Sequence, residues 1–572
     1  MRLYKESTTI PYRRGLLMLA MAAGFLILAI RAYDLQILRR DFLSYQGDAR
    51  QQRIVEVPAY RGTITDRNGE PLAISTPVDS VWVNPSEFLQ NSTALRTLAG
   101  KLELDPQILR RKIAGSKNRE FVYVKRQLPP ALAREVMALE LPGVSLQTEY
   151  RRYYPTAEVT AHVLGFTDID DHGQEGIELA YDDWLAGKTG LKRVLRDRLG
   201  RIVEDIESIH PAEPGKDLQL SIDRRLQYLA YRELKAAVLR QNAESGSLVM
   251  LNCNTGEVLA MVNQPAFNPH NRKDLLGKNY RNRSVTDVFE PGSTMKPFTI
   301  AAAMENGYIK PRSKINTSPG FIKIANYVIN DSEDHGALDI EGILRYSSNV
   351  GATKIALGMP AGDLWRVYDR FGFGHITASG FPGEVGGYLG HFDQWNAVEQ
   401  ATLSYGYGLA TTTLQLAHAY SIIANGGFSH PVSFQLQHET SVPSSRVLSE
   451  KTINEVRRML ISAVNGDGTG REARVPGYKI AGKTGTVRKS VAGGYSENEY
   501  VALFVGMAPA TRPELVTVVV IDNPGRGKYY GGEIAAPVFA NVMRDALRLL
   551  NVAPDDIASL YVGDGTHPGN KT

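Results

Sequence analysis

An uncharged apolar run near the start of the chain, Gly15 to Ile30, constrains most strongly what this sequence can fold into. As a helix it measures roughly 24 Å at about 1.5 Å per residue, slightly less than the bilayer core of about 30 Å. A buried core helix is disfavoured because the run is apolar on every face. A cleaved signal sequence is disfavoured because cleavage after Ala20 or Ala22 would leave too short an apolar segment before the cut. We therefore predict an uncleaved membrane anchor over residues 15–38.

The charges before this run predict its orientation. Four basic residues precede it: Arg2, Lys5, Arg13 and Arg14. The positive-inside rule keeps such a segment in the cytoplasm and exports the residues on the other side of the anchor. Residues 1–14 are thus predicted to be cytoplasmic, and the large remainder of the chain extracytoplasmic.

Composition excludes several classes of protein. With 572 residues the chain is too long for one core, and three or four domains are expected. A net charge of +4, from 65 basic and 61 acidic side chains, gives no reason to expect nucleic acid. Cys253 is the only cysteine, which excludes an internal disulfide and any cysteine-based metal cage. No His-Glu-x-x-His is present, so we predict no metal and no cofactor.

The first part of the exported chain is rich in charge and glycine. Arg53 to Val83 alternates apolar and polar residues around an Asn-Gly turn at 68–69, which is typical of a β-hairpin. Leu95–Ile113 and Pro130–Leu139 are predicted amphipathic helices. Residues 211–216, "PAEPGK", have the composition of a linker.

Beyond the linker, apolar strand patterns appear at both ends of one long region. Ser247–Asn263 predicts two strands joined by a turn, and Val501–Met507 and Leu515–Asp522 predict two more, followed by a helix. Ser293–Glu305 and Asn349–Leu357 are helix-like segments between the two groups. This order predicts an α+β fold whose sheet is closed by its first and last elements.

The segment "GYKIAGKTGTV", Gly477 to Val487, fits two chemistries. It contains G-x-x-x-x-G-K-T, a phosphate-binding loop pattern, and K-T-G, which accompanies serine acyl-transfer sites. A phosphate-binding loop follows a buried strand and leads into a helix. Here the preceding "GREARVP" is polar and ends in proline, and the following "GTVRKSVAGGY" lacks a helical period, so we favour acyl transfer.

Acyl transfer by this pattern requires S-x-x-K and S-x-N partners. Each match alone is weak, because S-x-N and K-T-G both recur. The matches are Ser293/Lys296 for S-x-x-K; Ser116, Ser347 and Ser496 for S-x-N; and Lys188 and Lys483 for K-T-G.

Order along the chain selects one set. Ser293/Lys296, Ser347–Asn349 and Lys483–Gly485 follow one another within one predicted domain. Ser293 follows a Pro-Gly break at a predicted helix N-terminus, and Lys296 at i+3 shares its face. Capping by the serines is the structural alternative. The other GKTG, around Lys188, lies upstream in a charged segment and is predicted to be a turn.

Activation of the serine sets a condition on the lysine. A serine hydroxyl is a poor nucleophile until a base removes its proton. Lys296 can act as that base only when neutral, and burial beside a second cation such as Lys483 would favour the neutral form.

At these residues the chain resembles a class B penicillin-binding protein over nearly its whole length. The order of "QGDARQQR" before Arg61-Gly62 is similar to the division-specific, FtsI-type subgroup. The elongation-type subgroup and a catalytically silent division scaffold are the alternatives. Further shared segments are "RGTITDRNGEPLA", "RYYP", "GQEGIELAYDDWLAGKTG", "TGEVLAMVNQPAFNP" and "YYGGEIAAPVF".

The resemblance implies an α+β architecture: an anchor, an elongated α/β pedestal, and a serine β-lactamase-like transpeptidase domain with an antiparallel sheet flanked by helices. It implies a bacterial inner-membrane protein with a periplasmic catalytic domain. The implied boundaries are a cytoplasmic tail at 1–14, an anchor at 15–38, a pedestal at 39–215, a transpeptidase domain at 216–553 and a C-terminal tail at 554–572.

The resemblance also implies roles for single residues. Ser293 is the implied nucleophile and Lys296 its base, the backbone amides of Ser293 and Thr486 form the oxyanion hole, and Lys483 binds the substrate carboxylate. Ser347 relays a proton to the departing D-alanine, and Asn349 holds the substrate amide. The implied substrate-binding set is Thr484, Gly485, Thr486, Tyr407, Tyr529 and Tyr530.

Expected ligands follow from the same resemblance: peptidoglycan stem peptides ending in D-alanyl-D-alanine, and β-lactam antibiotics. No Glu-x-x-Leu-Asn lies between Asn349 and Lys483, which disfavours a hydrolytic β-lactamase. The polar segment Arg61–Gly69 is a candidate contact for an FtsW-type membrane glycosyltransferase and other division proteins. Alternatively, Arg61 and Asp66 only pin a hairpin of the pedestal.

Overall fold

The computed structural model describes residues 10–42, 52–196, 202–271, 279–437, 443–491 and 493–561. The predicted tail at 1–14, the "QGDARQQR" segment and the predicted tail at 554–572 therefore lie partly outside the described residues. The first described helix, α1, spans Ile10–Tyr33 and continues into a π-helical turn, Asp34–Leu38. Across this helix and turn together, Tyr12–Leu38 is long and apolar enough to cross a membrane.

Strands occur throughout the described chain. They are β1 Gln52–Val57, β2 Ile64–Thr65, β3 Pro71–Val83, β4 Val122–Leu128, β5 Val144–Tyr153, β6 Gly190–Arg196, β7 Ile202–His210, β8 Leu218–Gln219, β9 Ser245–Asn252, β10 Val258–Gln264, β11 Lys314–Asn316, β12 Phe321–Ile324, β13 Tyr327–Asn330, β14 Ala337–Asp339, β15 Phe428–Ser429, β16 Ser445–Arg446, β17 Ala481–Val491, β18 Gly494–Ala508 and β19 Leu515–Asp522.

Helices alternate with these strands. After α1 they are α2 Pro85–Phe88, α3 Ser92–Lys101, α4 Pro106–Ala114, α5 Pro130–Met137, α6 Ala161–Leu164, α7 Gly176–Ala180, α8 Asp182–Leu185, α9 Arg224–Gln241, α10 Arg283–Thr286, α11 Lys296–Glu305, α12 Ile340–Arg345, α13 Asn349–Leu357, α14 Ala361–Arg370, α15 Ala397–Leu403, α16 Thr413–Ala424, α17 Glu450–Asn465, α18 Gly531–Leu549 and α19 Ala558–Tyr561.

The chain divides into two compact units. The first contains residues 1–60, 77–151 and 187–214, and the second contains 61–76, 152–186 and 215–572. In the first unit β1 pairs with β6 and β6 with β7, all antiparallel. In the second unit β2 pairs with the start of β3, which confirms the hairpin predicted around residues 68–69.

Two details of the first unit differ from the sequence prediction. The helix predicted over Leu95–Ile113 is two helices, α3 and α4. The break falls at Glu103, whose φ is +54°, and Asp105 then caps α4 with Pro106 in its first turn. Strand β1, expected in the hairpin, pairs instead with β6.

The second unit is built on an antiparallel five-stranded sheet in the order β10-β9-β19-β18-β17. Successive residues of β9 enter different cores: Leu248 and Met250 face one cluster with α9 and α18, and Val249 and Leu251 face the other with α11 and α16. Helices thus cover both faces, which explains why these strands are apolar at nearly every position. The predicted α+β fold, with its first and last strands adjacent, is confirmed.

Among the described residues, strand β17 forms one edge of this sheet. An edge strand is where an extended peptide ligand can pair with a sheet. The register of β17 pairs Lys483 with Val505 and Thr484 with Phe504. The second unit also contains a small hairpin, β12 with β13, whose last residue, Asn330, accepts a hydrogen bond from the Asn349 side chain at the start of α13. The three sequence motifs lie on or beside β17, α11 and α13.

Candidate active site

Ser293 lies in a 3-10 turn, Gly292–Met295, that runs directly into α11. Pro297 occupies the first turn of α11, where its missing N–H costs no helical hydrogen bond. Lys296 has no exposed surface, and its Nζ lies 2.9 Å from Ser293 Oγ. The serine and lysine predicted at i and i+3 therefore meet in one buried corner.

The turn before Ser293 requires glycine. Gly292 has φ +56°, and a Cβ at this position would lie 2.4 Å from Val487 Cγ2. Its N–H donates to Gly406 O at 3.1 Å. This close approach fixes Ser293 beside β17.

The predicted S-x-N motif converges on the same lysine. Ser347 has φ +59°, an uncommon backbone conformation for a residue other than glycine. The Ser348 side chain caps α13 by accepting from Gly351 N–H at 2.8 Å. Asn349 Oδ1 then accepts from Lys296 Nζ at 2.8 Å, and Ser347 O accepts from the same nitrogen.

These contacts determine how the Lys296 amine is used. A neutral amine has two N–H donors and one lone pair. Ser347 O and Asn349 Oδ1 can only accept, so they take both N–H groups. The lone pair is then left for a hydroxyl, and Ser293 Oγ at 2.9 Å is nearer to it than Ser347 Oγ at 3.1 Å.

Burial, reinforced by the positive charge of Lys483, holds the pKa of Lys296 well below its usual value. The geometry and the electrostatics thus both favour a neutral base beside a serine hydroxyl.

Lys483, on β17, is the second fully buried lysine. Its Nζ donates to Ser347 Oγ at 3.0 Å and to Thr484 O at 3.2 Å. Burial lowers its pKa to about 7. Ser347 Oγ lies 3.1 Å from Lys296 Nζ as well, so one hydroxyl bridges the two amines.

The remaining K-T-G residues shape the edge strand. Thr484 Oγ1 lies 2.7 Å from Thr469 Oγ1, and Thr486 Oγ1 accepts from Gly531 N–H at 3.0 Å. At Gly485 a Cβ would lie 2.1 Å from Leu503 Cδ1, so the strand can take this path only with glycine there.

Residues of the three motifs line a cleft of about 840 Å³. Six of the predicted site residues line it: Ser293, Ser347, Asn349, Thr484, Thr486 and Tyr530. The lysines lie behind this lining, where water does not reach them. The cleft therefore presents hydroxyl and amide groups over a buried pair of amines.

The other two predicted tyrosines lie outside the described lining of the cleft. Tyr529 stacks on Tyr500, with ring centroids 4.2 Å apart, and packs at a tilt against Tyr530, with centroids 4.5 Å apart. Tyr407 packs against Tyr495 at 5.3 Å, and its hydroxyl accepts from Arg488 N–H at 3.5 Å. Substrate binding by these tyrosines remains a prediction.

Sequence reasoning missed Asp331, which lies in the loop after β13. Its carboxylate accepts from Ser348 Oγ and Asn349 N–H, both at 2.5 Å. No motif marks this aspartate, because only the return of the β12–β13 hairpin brings it to the start of α13.

The competing interpretation of Gly477–Val487 as a phosphate-binding loop is wrong. Thr484 continues into β17 rather than into a helix, and Tyr478 and Ile480 are buried. The other GKTG also differs from a catalytic segment. Lys188 is exposed, pairs with Glu213 at 2.8 Å and forms a β-bridge with it just before β6, so the turn predicted here is wrong.

The segment Arg61–Gly69 is buried at Arg61 and Asp66 and exposed at Asn68 and Gly69. Arg61 is 2% exposed, and its guanidinium donates to Glu178 Oε2 and Asp182 Oδ1, both at 2.6 Å. Asp66 is 1% exposed and accepts from Arg224 N–H. These contacts support the pinning role of the two residues, and a partner contact through the segment stays a prediction.

Together, the fold and the cleft define a serine acyl-transfer protein with a buried lysine beside its serine. Two family models match the chain: the penicillin-binding protein transpeptidase domain over residues 246–544, and the penicillin-binding protein dimerisation domain over 56–220.

Curated relatives extend this match over almost the whole chain. Peptidoglycan D,D-transpeptidase FtsI of Escherichia coli K12 is 42% identical over 95% of this chain and 93% of that protein. Probable peptidoglycan D,D-transpeptidase PbpC of Pseudomonas aeruginosa is 41% identical over 98% and 99%. The chain belongs to the penicillin-binding protein family, and its resemblance to the class B members is confirmed.

Solved structures agree. The transpeptidase domain of Burkholderia pseudomallei penicillin-binding protein 3 matches with 42% identity and a TM-score of 0.55, covering 59% of this chain and 97% of that one. Penicillin-binding protein 3 of Mycobacterium tuberculosis, solved with aztreonam, is 28% identical, with a TM-score of 0.68 over 87% and 98%.

Proposed function

We propose that this protein is a division-type peptidoglycan D,D-transpeptidase that crosslinks stem peptides through a serine acyl-enzyme. The observation that carries the proposal is the contact between Ser293 Oγ and the buried Lys296 Nζ at 2.9 Å. Two relatives named peptidoglycan D,D-transpeptidase support the substrate class.

Acylation begins when Lys296 Nζ accepts the hydroxyl proton of Ser293. The oxygen then attacks the carbonyl carbon of the penultimate D-alanine, and the backbone N–H groups of Ser293 and Thr486 stabilise the negative charge on the carbonyl oxygen. The C–N bond to the terminal D-alanine breaks, and an ester to Ser293 remains.

The leaving amine requires a proton. Ser347 Oγ, in contact with both lysine amines, donates to the departing D-alanine nitrogen and is reprotonated from the lysines. In the second half-reaction an amine of a neighbouring stem peptide attacks the ester carbonyl. It loses its proton along the same path, and Ser293 leaves as the free alcohol with a new amide as product.

Binding uses the edge strand. An extended stem peptide adds to the free edge of β17, as peptides add to exposed sheet edges elsewhere. Its terminal carboxylate lies near Lys483, Thr484 and Thr486, and Asn349 holds its amide. β-Lactams acylate Ser293 in the same way, because their strained amide takes the place of the D-alanyl-D-alanine bond.

The anchor helix places this chemistry at the membrane. We infer a cytoplasmic N-terminus and a periplasmic catalytic domain from the basic residues that precede the apolar run. The proposed partners are an FtsW-type glycosyltransferase and other division proteins. Because Arg61 is buried, a contact with them would use more exposed parts of the chain.

The proposal is tested by labelling the full-length protein in detergent with a fluorescent penicillin. Wild type and Lys188→Ala are expected to retain a lasting label, and Ser293→Ala to have none. Rapid loss of the label would indicate hydrolysis instead. Absence of label on folded wild type would contradict the proposal and favour a silent scaffold.

A further inference from the structure

The loop after β13 binds the catalytic S-x-N segment through a single carboxylate. Asp331 Oδ1 accepts from Asn349 N–H at 2.5 Å and from Val350 N–H at 3.0 Å. Asp331 Oδ2 accepts from Ser348 Oγ at 2.5 Å. Three consecutive residues at the start of α13 are therefore held by one side chain.

The loop itself is anchored to the β12–β13 hairpin. Asp331 N–H donates to Gly320 O at 2.8 Å, just before β12. Asn330, the last residue of β13, accepts from the Asn349 side chain at 3.0 Å. The carboxylate is thus presented from a hydrogen-bonded frame.

The held segment has a conformation that needs support. Ser347 has φ +59°, which is unfavourable for a side chain with a Cβ. This conformation directs Ser347 O and Ser347 Oγ toward Lys296 Nζ. Without a restraint on Ser348 and Asn349, the strained residue is free to relax and withdraw these contacts.

We propose that Asp331 is a positioning residue of this acyl-transfer site, which fixes the turn that presents Ser347 and Asn349 to Lys296. The inference rests on the proposed function. It adds a residue that has no expected contact with the substrate and acts only through the groups that do.

The charge of Asp331 has a second consequence. It raises the pKa of Lys296, against the lowering by burial and by Lys483. Among the described residues, Lys483 and Asp331 are the charged groups that shift the pKa of Lys296. The rim of the cleft adds Glu333, His335, Asp467, Arg471, Glu472, Lys528 and Glu533.

Two substitutions separate the hydrogen bonds from the charge. Asp331→Ala removes both, and Asp331→Asn keeps an oxygen for the two backbone N–H groups while removing the charge. Asp334→Asn is the matched control, because Asp334 lies in the same exposed loop but accepts from Ser318 and Gly336.

The measurement is penicillin acylation of full-length protein in detergent across pH 5–9, with the non-covalent dissociation constant and the acylation rate constant determined separately.

Asp331→Ala is expected to lower the rate constant about 10- to 100-fold, in line with small misplacements of catalytic groups, while the dissociation constant changes less than about threefold. Asp331→Asn is expected to lower the acylation rate constant less than Asp331→Ala does. It is also expected to shift the acid limb of the pH profile to lower pH. The loss of the aspartate charge lets Lys296 lose its proton at lower pH. Asp334→Asn is expected to match wild type.

Two results would overturn the inference while leaving the proposed function intact: Asp331→Ala acylating within about twofold of wild type, or Asp331→Asn and Asp334→Asn giving the same pH profile. If Asp331→Ala does not fold, as judged by its thermal transition, the Asp331→Asn profile decides. If wild type is not acylated, the proposed function fails first and the inference with it.

Discussion

The tetrapeptide Gly-Lys-Thr-Gly occurs twice in this chain, in two very different environments. Lys188 has a side chain that is 81% exposed and pairs with Glu213, a hydrogen bond that raises its pKa. Lys483 has no exposed surface, and burial lowers its pKa to about 7. The same letters thus give a solvated cation at one place and a titratable group at neutral pH at the other.

The difference lies in what surrounds each copy. The first copy leads into β6, which pairs with β1 and β7 in a small sheet. The second begins β17, at the edge of a sheet covered by helices on both faces, where the buried Lys296 and Ser347 meet it. Burial and neighbours give the motif its chemistry, and the motif alone predicts neither.

The largest expected difference between the two copies is in the rate of acylation when each lysine is replaced. Lys483→Ala is expected to lower the rate of penicillin acylation by about 10²- to 10³-fold, because a preorganised donor at the site is lost. Lys188→Ala is expected to stay within about twofold of wild type. Stopped-flow acylation of the two full-length variants measures both effects, and equal losses would contradict the comparison.

The pH dependence of acylation is a second test of the difference between Lys483 and Lys188. The pKa values of Lys296 and Lys483 are both lowered in the folded protein, that of Lys483 to about 7, so the neutral form of the base is favoured as pH rises and lost as pH falls. Acylation by wild type is expected to fall about tenfold per pH unit on the acid limb. Lys188→Ala should reproduce that limb. A rate that falls as pH rises from 5 to 8 would contradict a lysine base.

The two motif glycines test packing and chemistry separately. A Cβ at Gly485 would lie 2.1 Å from Leu503 Cδ1, and one at Gly190 would lie 2.5 Å from Ala212 N. Both alanine variants are therefore expected to lower the Tm. Only Gly485→Ala is expected to reduce acylation, about tenfold, because it displaces the catalytic strand. An unchanged rate in folded Gly485→Ala would show that β17 tolerates the shift.

The smallest expected effect is on stability. A buried lysine whose pKa is lowered binds fewer protons folded than unfolded, so stability rises with pH between about 7 and 10.4. Replacing Lys483 by Met removes this cost at neutral pH and is expected to raise the Tm by a few degrees. Lys188→Met, at an exposed ion pair, is expected to leave the Tm unchanged. A lower Tm in Lys483→Met would indicate that its hydrogen bonds outweigh its burial.

Much of the site could be predicted from the sequence because its motifs are local. Ser293 and Lys296 share one helical turn, and the strands around the site are apolar enough to recognise. Asp331 could not be predicted, because its role depends on a hairpin returning to the start of α13. The positions of Tyr407 and Tyr529 depend on long-range packing, and so does the pairing of β1 with β6.

The most direct test of acyl transfer through Ser293 is peptide mapping by mass spectrometry of full-length protein after reaction with benzylpenicillin. We predict one stable penicilloyl adduct, on the peptide that contains Ser293, absent in Lys296→Ala over the same reaction time. No adduct on folded wild type, or an adduct at another residue, would contradict this mechanism.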